Sequence, residues 1–387
     1  MKIWQEIITP RGSKRQEARM KWIPILIIFF FLISACQPGM PQTSPQEIES
    51  PPMNTPTLNS TPQPTPVASP TTPGEPIYQK NRWLGRGVNL GNALEAPTEG
   101  AWGVVLKEEY FQLIHEAGFN SVRIPIRWNA HASDAPPYTI DPAFFERVDW
   151  AVNQALSRDL AVVVNIHHYE EIFQNPKAHT ERFLAIWEQI AVHYRDYPEK
   201  LFFELLNEPH DALDYETWNR LASQTIALIR KTNPERAIIV GPAEWNSLTQ
   251  LDYLKLPEDD RNLIVTFHYY LPFHFTHQGA EWVSGANAWL GTKWQGSDIE
   301  RQLLRFDFLA AMVWGREHKR PIYLGEFGAY SKADLDSRAR WTEAVARAAE
   351  ENGFSWAYWE FCAGFGVYDP ATNQWNMAIR NALLPAK

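Results

Sequence analysis

The chain has 387 residues, 45% of them apolar and 21% charged, a globular composition with room for one large domain or two modest ones. Thirty-six Lys and Arg against 45 Asp and Glu give a net charge of -9, which argues against a broad electrostatic grip on nucleic acid. Only two cysteines are present, Cys36 and Cys362, which excludes a disulfide-rich scaffold and a multi-cysteine metal site.

The first apolar stretch runs from Trp22 to Ala35, and its densest part, Ile25 to Ile33, is shorter than the ~20 residues of a spanning helix. It reads as the core of a signal peptide behind Arg19 and Lys21. Ile33-Ser34-Ala35-Cys36 resembles the lipobox of bacterial lipoproteins, in which the chain is cut before a cysteine that becomes acylated. The resemblance implies a signal over residues 1–35, with Met20 as an alternative start, Cys36 as lipid anchor and the protein outside the cell, held at the bacterial surface. The alternative is an uncleaved membrane anchor. Residues 36–76 follow as a linker, with 12 prolines among residues 37–76 interleaved with Thr, Ser and Gln. Such a segment builds no core and extends by up to ~3.1 Å per residue.

From residue 77 to residue 387 short β-branched or aromatic runs alternate with helical periodicity. The runs are 85–90, 121–126, 161–168, 201–208, 237–242, 263–270, 321–327 and 355–361, and the helical patterns 107–117, 142–157, 180–197, 215–231, 298–318 and 333–351. The fifth gap carries only a weak pattern. Eight alternations in one α/β domain predict a (β/α)8 TIM barrel, and Gly85-Arg86-Gly87 lacks the third glycine of a dinucleotide turn.

Chemistry in such a barrel sits at the C-terminal ends of the strands. Those ends carry Arg123, His167-His168, Asn207-Glu208-Pro209, His268-Tyr269-Tyr270, Glu326 and Trp359-Glu360. Glu208 and Glu326, ending the fourth and seventh runs, face each other across the predicted mouth, as a two-carboxylate glycosidase requires. With Gly87-Val88-Asn89-Leu90-Gly91-Asn92, Arg123 to Pro125, Asn165 to Tyr169, Gly325-Glu326-Phe327-Gly328 and Trp356 to Phe361, the ordered set resembles glycoside hydrolase family 5. Asn92 to Pro97 and Thr276 to Trp282 are similar to its thermophile-type endoglucanases, some of which cut mannans.

The resemblance implies retaining endo-hydrolysis of β-1,4-linked glucan, with β-mannan or glucomannan as the alternative, by a monomeric domain without cofactor or metal. Glu208 would be acid and base, Glu326 the nucleophile, and Arg123 and Tyr270 its hydrogen-bonding partners. Asn207 would contact the sugar 2-hydroxyl, His167 and His268 would flank the cleaved sugar, His168 would join them if the strand ends before it, since alternation otherwise turns it away from His167, and Trp359 would stack on the sugar. Trp282 and His277 would form a platform, with Asn92, Glu95, Trp245 and Glu360 flanking neighbouring sugars. Trp150, Trp187, Trp218 and Trp341 fall within helical patterns and are expected to be structural. Two rival classes remain. A metal hydrolase would draw on His167-His168 with Glu170-Glu171, or on His274 with His277, but no helical metal motif accompanies them. A silent sugar-binding lipoprotein would normally have lost one glutamate.

Overall fold

A computed structural model of the protein describes residues 76–385. The signal segment, Cys36 and nearly all of the linker lie outside the described residues. Eight strands form a closed, wholly parallel barrel in sequence order: β1 Arg86–Asn89, β2 Ser121–Ile124, β3 Ala161–Asn165, β4 Leu201–Glu204, β5 Ile238–Val240, β6 Leu263–Tyr269, β7 Ile322–Phe327 and β8 Ser355–Tyr358. Pairing of Val88 with Tyr358 joins β1 to β8 and closes it.

Period-2 alternation divides each strand between two cores. Ala161, Val163, Phe202, Ala237, Ile239, Ile264, Tyr323 and Ala357 pack with one another, and Ile77 and Leu84 of the helix Pro76–Leu84 pack onto them. Their neighbours Val162, Val164, Phe203, Ile238, Val240 and Val265 join the larger core that the outer helices cover. With both faces buried, the strands read as continuous apolar runs.

The outer helices are Glu108–Ala117, Pro142–Leu156, Pro176–His193, Tyr215–Arg230, Asp298–Glu317 and Leu335–Glu351. Capping chemistry sets their starts. Asp141, Asp214 and Asp334 accept from the first-turn amides of Ala143, Thr217 and Ser337, and Ser297 and Glu300 form a reciprocal capping box. The third helix begins four residues before the predicted Thr180, because Asn175 accepts from the Ala178 amide and Pro176 fills the first helical position. The weak fifth gap is a turn, Ala243–Asn246, followed by the 3-10 helix Leu248–Tyr253. Trp187, Trp218 and Trp341 are buried and donate to the carbonyls of Leu205, Gly241 and Leu271. Trp150 is half-buried beneath the Arg147 guanidinium. No helix among the described residues is long and apolar enough to cross a membrane.

Candidate active site

The strand ends converge as the alternation predicts, with two local departures that aim the key groups. A register shift between Phe267 and His268 sets His268 opposite Glu326 on β7. A bulge of this kind re-aims a side chain that a regular ladder would leave out of step. β4 ends at Glu204, and Glu208 stands in the following loop with φ 47, a left-handed conformation that is costly away from glycine and clusters at functional sites. The Asn207 amide donates to the Ile166 carbonyl and holds this loop to the end of β3.

Glu326 Oε1 accepts from Arg123 Nη1 at 2.6 Å, and its Oε2 accepts from the Tyr270 hydroxyl at 2.9 Å. His268 Nδ1 lies 2.6 Å from Glu208 Oε1 and 3.6 Å from Glu326 Oε2, standing between the two carboxylates. One oxygen of each glutamate and a ring nitrogen of His268 all lie within 4.8 Å of one another. This is the close spacing of a double-displacement pair, ~5 to 5.5 Å between carboxyl groups, and leaves no room for the water that an inverting pair needs.

Beneath Glu326, Arg123 is wholly buried. Its Nε and Nη2 bind Glu204 Oε2 and Oε1 at 2.6 and 2.8 Å, and it also reaches Asn89 Oδ1 at 2.9 Å and Asn207 Oδ1 at 2.8 Å. Glu204 is absent from the residues the sequence pointed to, and Asn89 stood there only as part of the Gly87 to Asn92 motif. Glu204 left a signal, a carboxylate inside the apolar run 201–206, which can be buried only if it is paired.

Burial pushes Glu208 up to about 7, against the opposing pull of Arg123, His210 and His168. Glu326 is raised as well by burial, but His268, Arg123 and the Tyr270 hydroxyl pull it back. Burial lowers His268 to about 4, so its ring is neutral near pH 7, and lowers His167 well below the usual imidazole range.

Several of the predicted site residues make ring contacts. Trp359 lies parallel to His167, centroids 5.9 Å apart and 11° between planes. A Cβ on Gly91 would stand 3.0 Å from the Trp359 ring, so any larger residue here would press on that ring. β3 ends before His168, whose φ is 52, and strand alternation therefore does not turn it away. His168 sets its ring edgewise on His167 and on Trp102, which sequence reading did not single out. Across the mouth Trp245, 49% exposed, stacks on His210 at 4.9 Å and 13°. Trp282, 59% exposed, lies edge-on to Tyr330 and to His277, and His277 stacks on Phe273 and is buried.

Glu95 and Glu360 differ from this set because both are buried against loop backbone. Glu95 accepts from the amides of Asn92 and Ala93, and Glu360 from those of Cys362, Ala363 and Phe365. Burial raises them to about 8 and about 7, and the charge of Glu360 adds to the shift of Glu95. They hold the loops after β1 and β8. The residues weighed for a metal site do not come together as ligand triads: among the described residues, the grouping at ligand spacing is Glu208, His268 and Glu326. His274 stacks on Trp289 instead, and His168 pairs with Glu170 at 3.4 Å.

The sequence pattern of the family described as Cellulase (glycosyl hydrolase family 5) matches residues 85–364. Endoglucanase H of Acetivibrio thermocellus is 38% identical over 312 residues, 79% of this chain and 33% of that protein. The chain spans about a third of the length of the first curated relatives it matches. Solved structures of Thermotoga maritima Cel5A, one in complex with mannotriose and one with cellobiose, superpose with a TM-score of 0.78 at 55% identity, covering 79% of this chain and 99% of theirs.

Proposed function

The chain belongs to glycosyl hydrolase family 5, the cellulase family, and on that premise we propose that it cleaves β-1,4-linked glucan internally by double displacement. The observation that carries this reading is the approach of Glu208 and Glu326 oxygens to within 4.8 Å, with His268 between them. In the first step Glu326 attacks the anomeric carbon while Glu208 gives its proton to the departing oxygen. Glu208, raised to about 7, still holds that proton in the free protein at mildly acidic pH. Two hydrogen bonds, from Arg123 and Tyr270, orient Glu326 and favour its charged form. Esterification then removes the charge of Glu326, Glu208 ionises more readily, and it draws a proton from the water that completes the cycle.

Asn207, fixed through Oδ1 to Arg123, is the contact for the 2-hydroxyl, and Trp359 offers its flat face to the sugar. Trp245, Trp282, His167, His168 and His277 line the path of neighbouring units, while Asn92, Glu95 and Glu360 shape it through the loops they hold. Mannan is the second reading, because Thermotoga maritima Cel5A was solved with mannotriose as well as with cellobiose. Hydrolysis of soluble β-glucans and mannans by the purified chain, with product lengths resolved, tests both: internal cutting of glucan supports the first reading, and preference for mannan the second. Glu208→Gln and Glu326→Gln should each lower turnover by several orders of magnitude in a folded protein, and near-parental turnover in either would overturn the assignment.

Anchoring at the bacterial surface through acylated Cys36 is part of the same proposal, supported by the sequence Ile33-Ser34-Ala35-Cys36. Labelled palmitate should be incorporated into the parent chain and not into Cys36→Ala, and a parent that takes up no label, or a variant that takes up as much, would remove the anchor.

A further inference from the structure

The turn after β5 holds three successive residues in the left-handed region, Glu244, Trp245 and Asn246, with φ of 55, 59 and 53. Such a run is strained in L-residues and must be held by its surroundings. The Trp245 amide donates to the Pro209 carbonyl, the Ser247 amide to the Glu244 carbonyl, and Ser247 bridges to His268 on β6. The turn carries the Asn246 side chain inward. It is fully buried and lies over Gly241, where a Cβ would come within 2.1 Å of Asn246 Oδ1. Asn246 Nδ2 stands 3.3 Å from His268 Nε2, and among the described residues Oδ1 has no partner.

We propose that Asn246 is a positioning residue that fixes the tautomer of His268 and thereby directs the proton of Glu208 toward the substrate. The inference rests on Glu208 being the general acid. A neutral imidazole carries one proton. An amide N–H directed at Nε2 requires that nitrogen to be bare, which places the proton on Nδ1, where it is donated to Glu208 Oε1 at 2.6 Å. Oε1 is then occupied as an acceptor. The acid proton of Glu208 resides on Oε2 and passes from there to the departing glycosidic oxygen as the bond from that oxygen to the anomeric carbon breaks. With the opposite tautomer, a bare Nδ1 would accept the Glu208 hydroxyl and hold the proton away from the substrate. The other groups around His268 are Glu326, at 3.6 Å from Nδ1, Arg123 and Glu204 behind it, and the Thr266 hydroxyl, which like His268 borders Gly325. Among the described residues none of them donates a hydrogen bond to Nε2.

Two substitutions and one spectrum test this. Asn246→Asp replaces the donor by an acceptor of the same shape, and Asn246→Gly removes the amide at a φ that glycine adopts freely. Each is expected to lower kcat/KM roughly 10- to 100-fold on cello-oligosaccharides, a part of the ~10²- to 10⁴-fold that general acid catalysis supplies, yet by no more than about threefold on a dinitrophenyl cellobioside, whose leaving group needs no proton. In the full chain labelled with 15N in its histidine rings, the His268 signals should report a protonated Nδ1 and a bare Nε2. Equal losses on both substrates, no loss on either, or a protonated Nε2 in the parent would overturn the proposal. Glu208→Gln run in parallel separates the two levels: if it shows no such split between substrates, the acid assignment itself fails, and if it does while both Asn246 variants do not, only the role of Asn246 fails.

Discussion

Replacing Glu326 by glutamine removes one negative charge beside Glu208 with little change of shape, and should lower the pKa of Glu208. The two carboxylates approach within 4.8 Å. At about that separation, with an effective dielectric of about 20, unit charges interact by about 3.5 kcal/mol, or about 2.5 pKa units. Arg123, bound to Glu326 at 2.6 Å, already cancels part of that field. The expected fall is therefore about 1 to 2 units, from about 7 in the parent. The sign matters for mechanism, since the same charge disappears when Glu326 is glycosylated and Glu208 must change from acid to base. Titration of the glutamate side-chain carboxyl carbons by 13C NMR, with the Glu208 signal identified by its loss in Glu208→Gln, reads the value directly. A Glu208 pKa that stays near 7 or rises would show that burial alone holds the proton and that glycosylation does not release it.

The pH dependence of kcat/KM should fall on the alkaline side near pH 7, as Glu208 loses its proton, and stopped assays across pH 5 to 9 would check the position of that limb. Glu204→Gln breaks a buried bidentate pair with Arg123 and should cost about 3 kcal/mol of stability, read by urea unfolding; a loss under ~0.5 kcal/mol would mean that Arg123 is held by other groups. Glu95 has a folded pKa of about 8, above its unfolded value, so its contribution to stability is fully present below the unfolded pKa and is lost as pH rises toward 8. In Glu95→Gln the melting temperature should decline less steeply between pH 5 and pH 8 than in the parent, and equal slopes in calorimetry would contradict the buried, proton-holding state of Glu95.

Much of this was legible because a parallel barrel repeats one rule. Each of the eight apolar runs became a strand, and Glu208, Glu326, Arg123, Asn207, His268 and Tyr270 met because they ended or followed such runs. Strand lengths were overread. The run 201–208 is only a four-residue strand, since Glu208 leaves β geometry for a left-handed turn that no periodicity announces. The start of the helix at Pro176 was written in Asn175-Pro176, a capping signal that the apolar period obscured. Asn246, His210 and Trp102 escaped notice because they reach the site from loops, where spacing along the chain says nothing about which strand end a side chain will meet. Glu95 and Glu360, expected to flank neighbouring sugars, are buried with backbone amides around both, a setting that spacing along the chain does not announce.

Exposing the purified chain to a 2-fluoro cellobioside with a good leaving group, then digesting it and locating the added mass by mass spectrometry, tests the double displacement most directly. A glycosyl ester on Glu326 is the predicted result; a label on another residue, or turnover that releases the α-anomer with no covalent adduct at all, would contradict it.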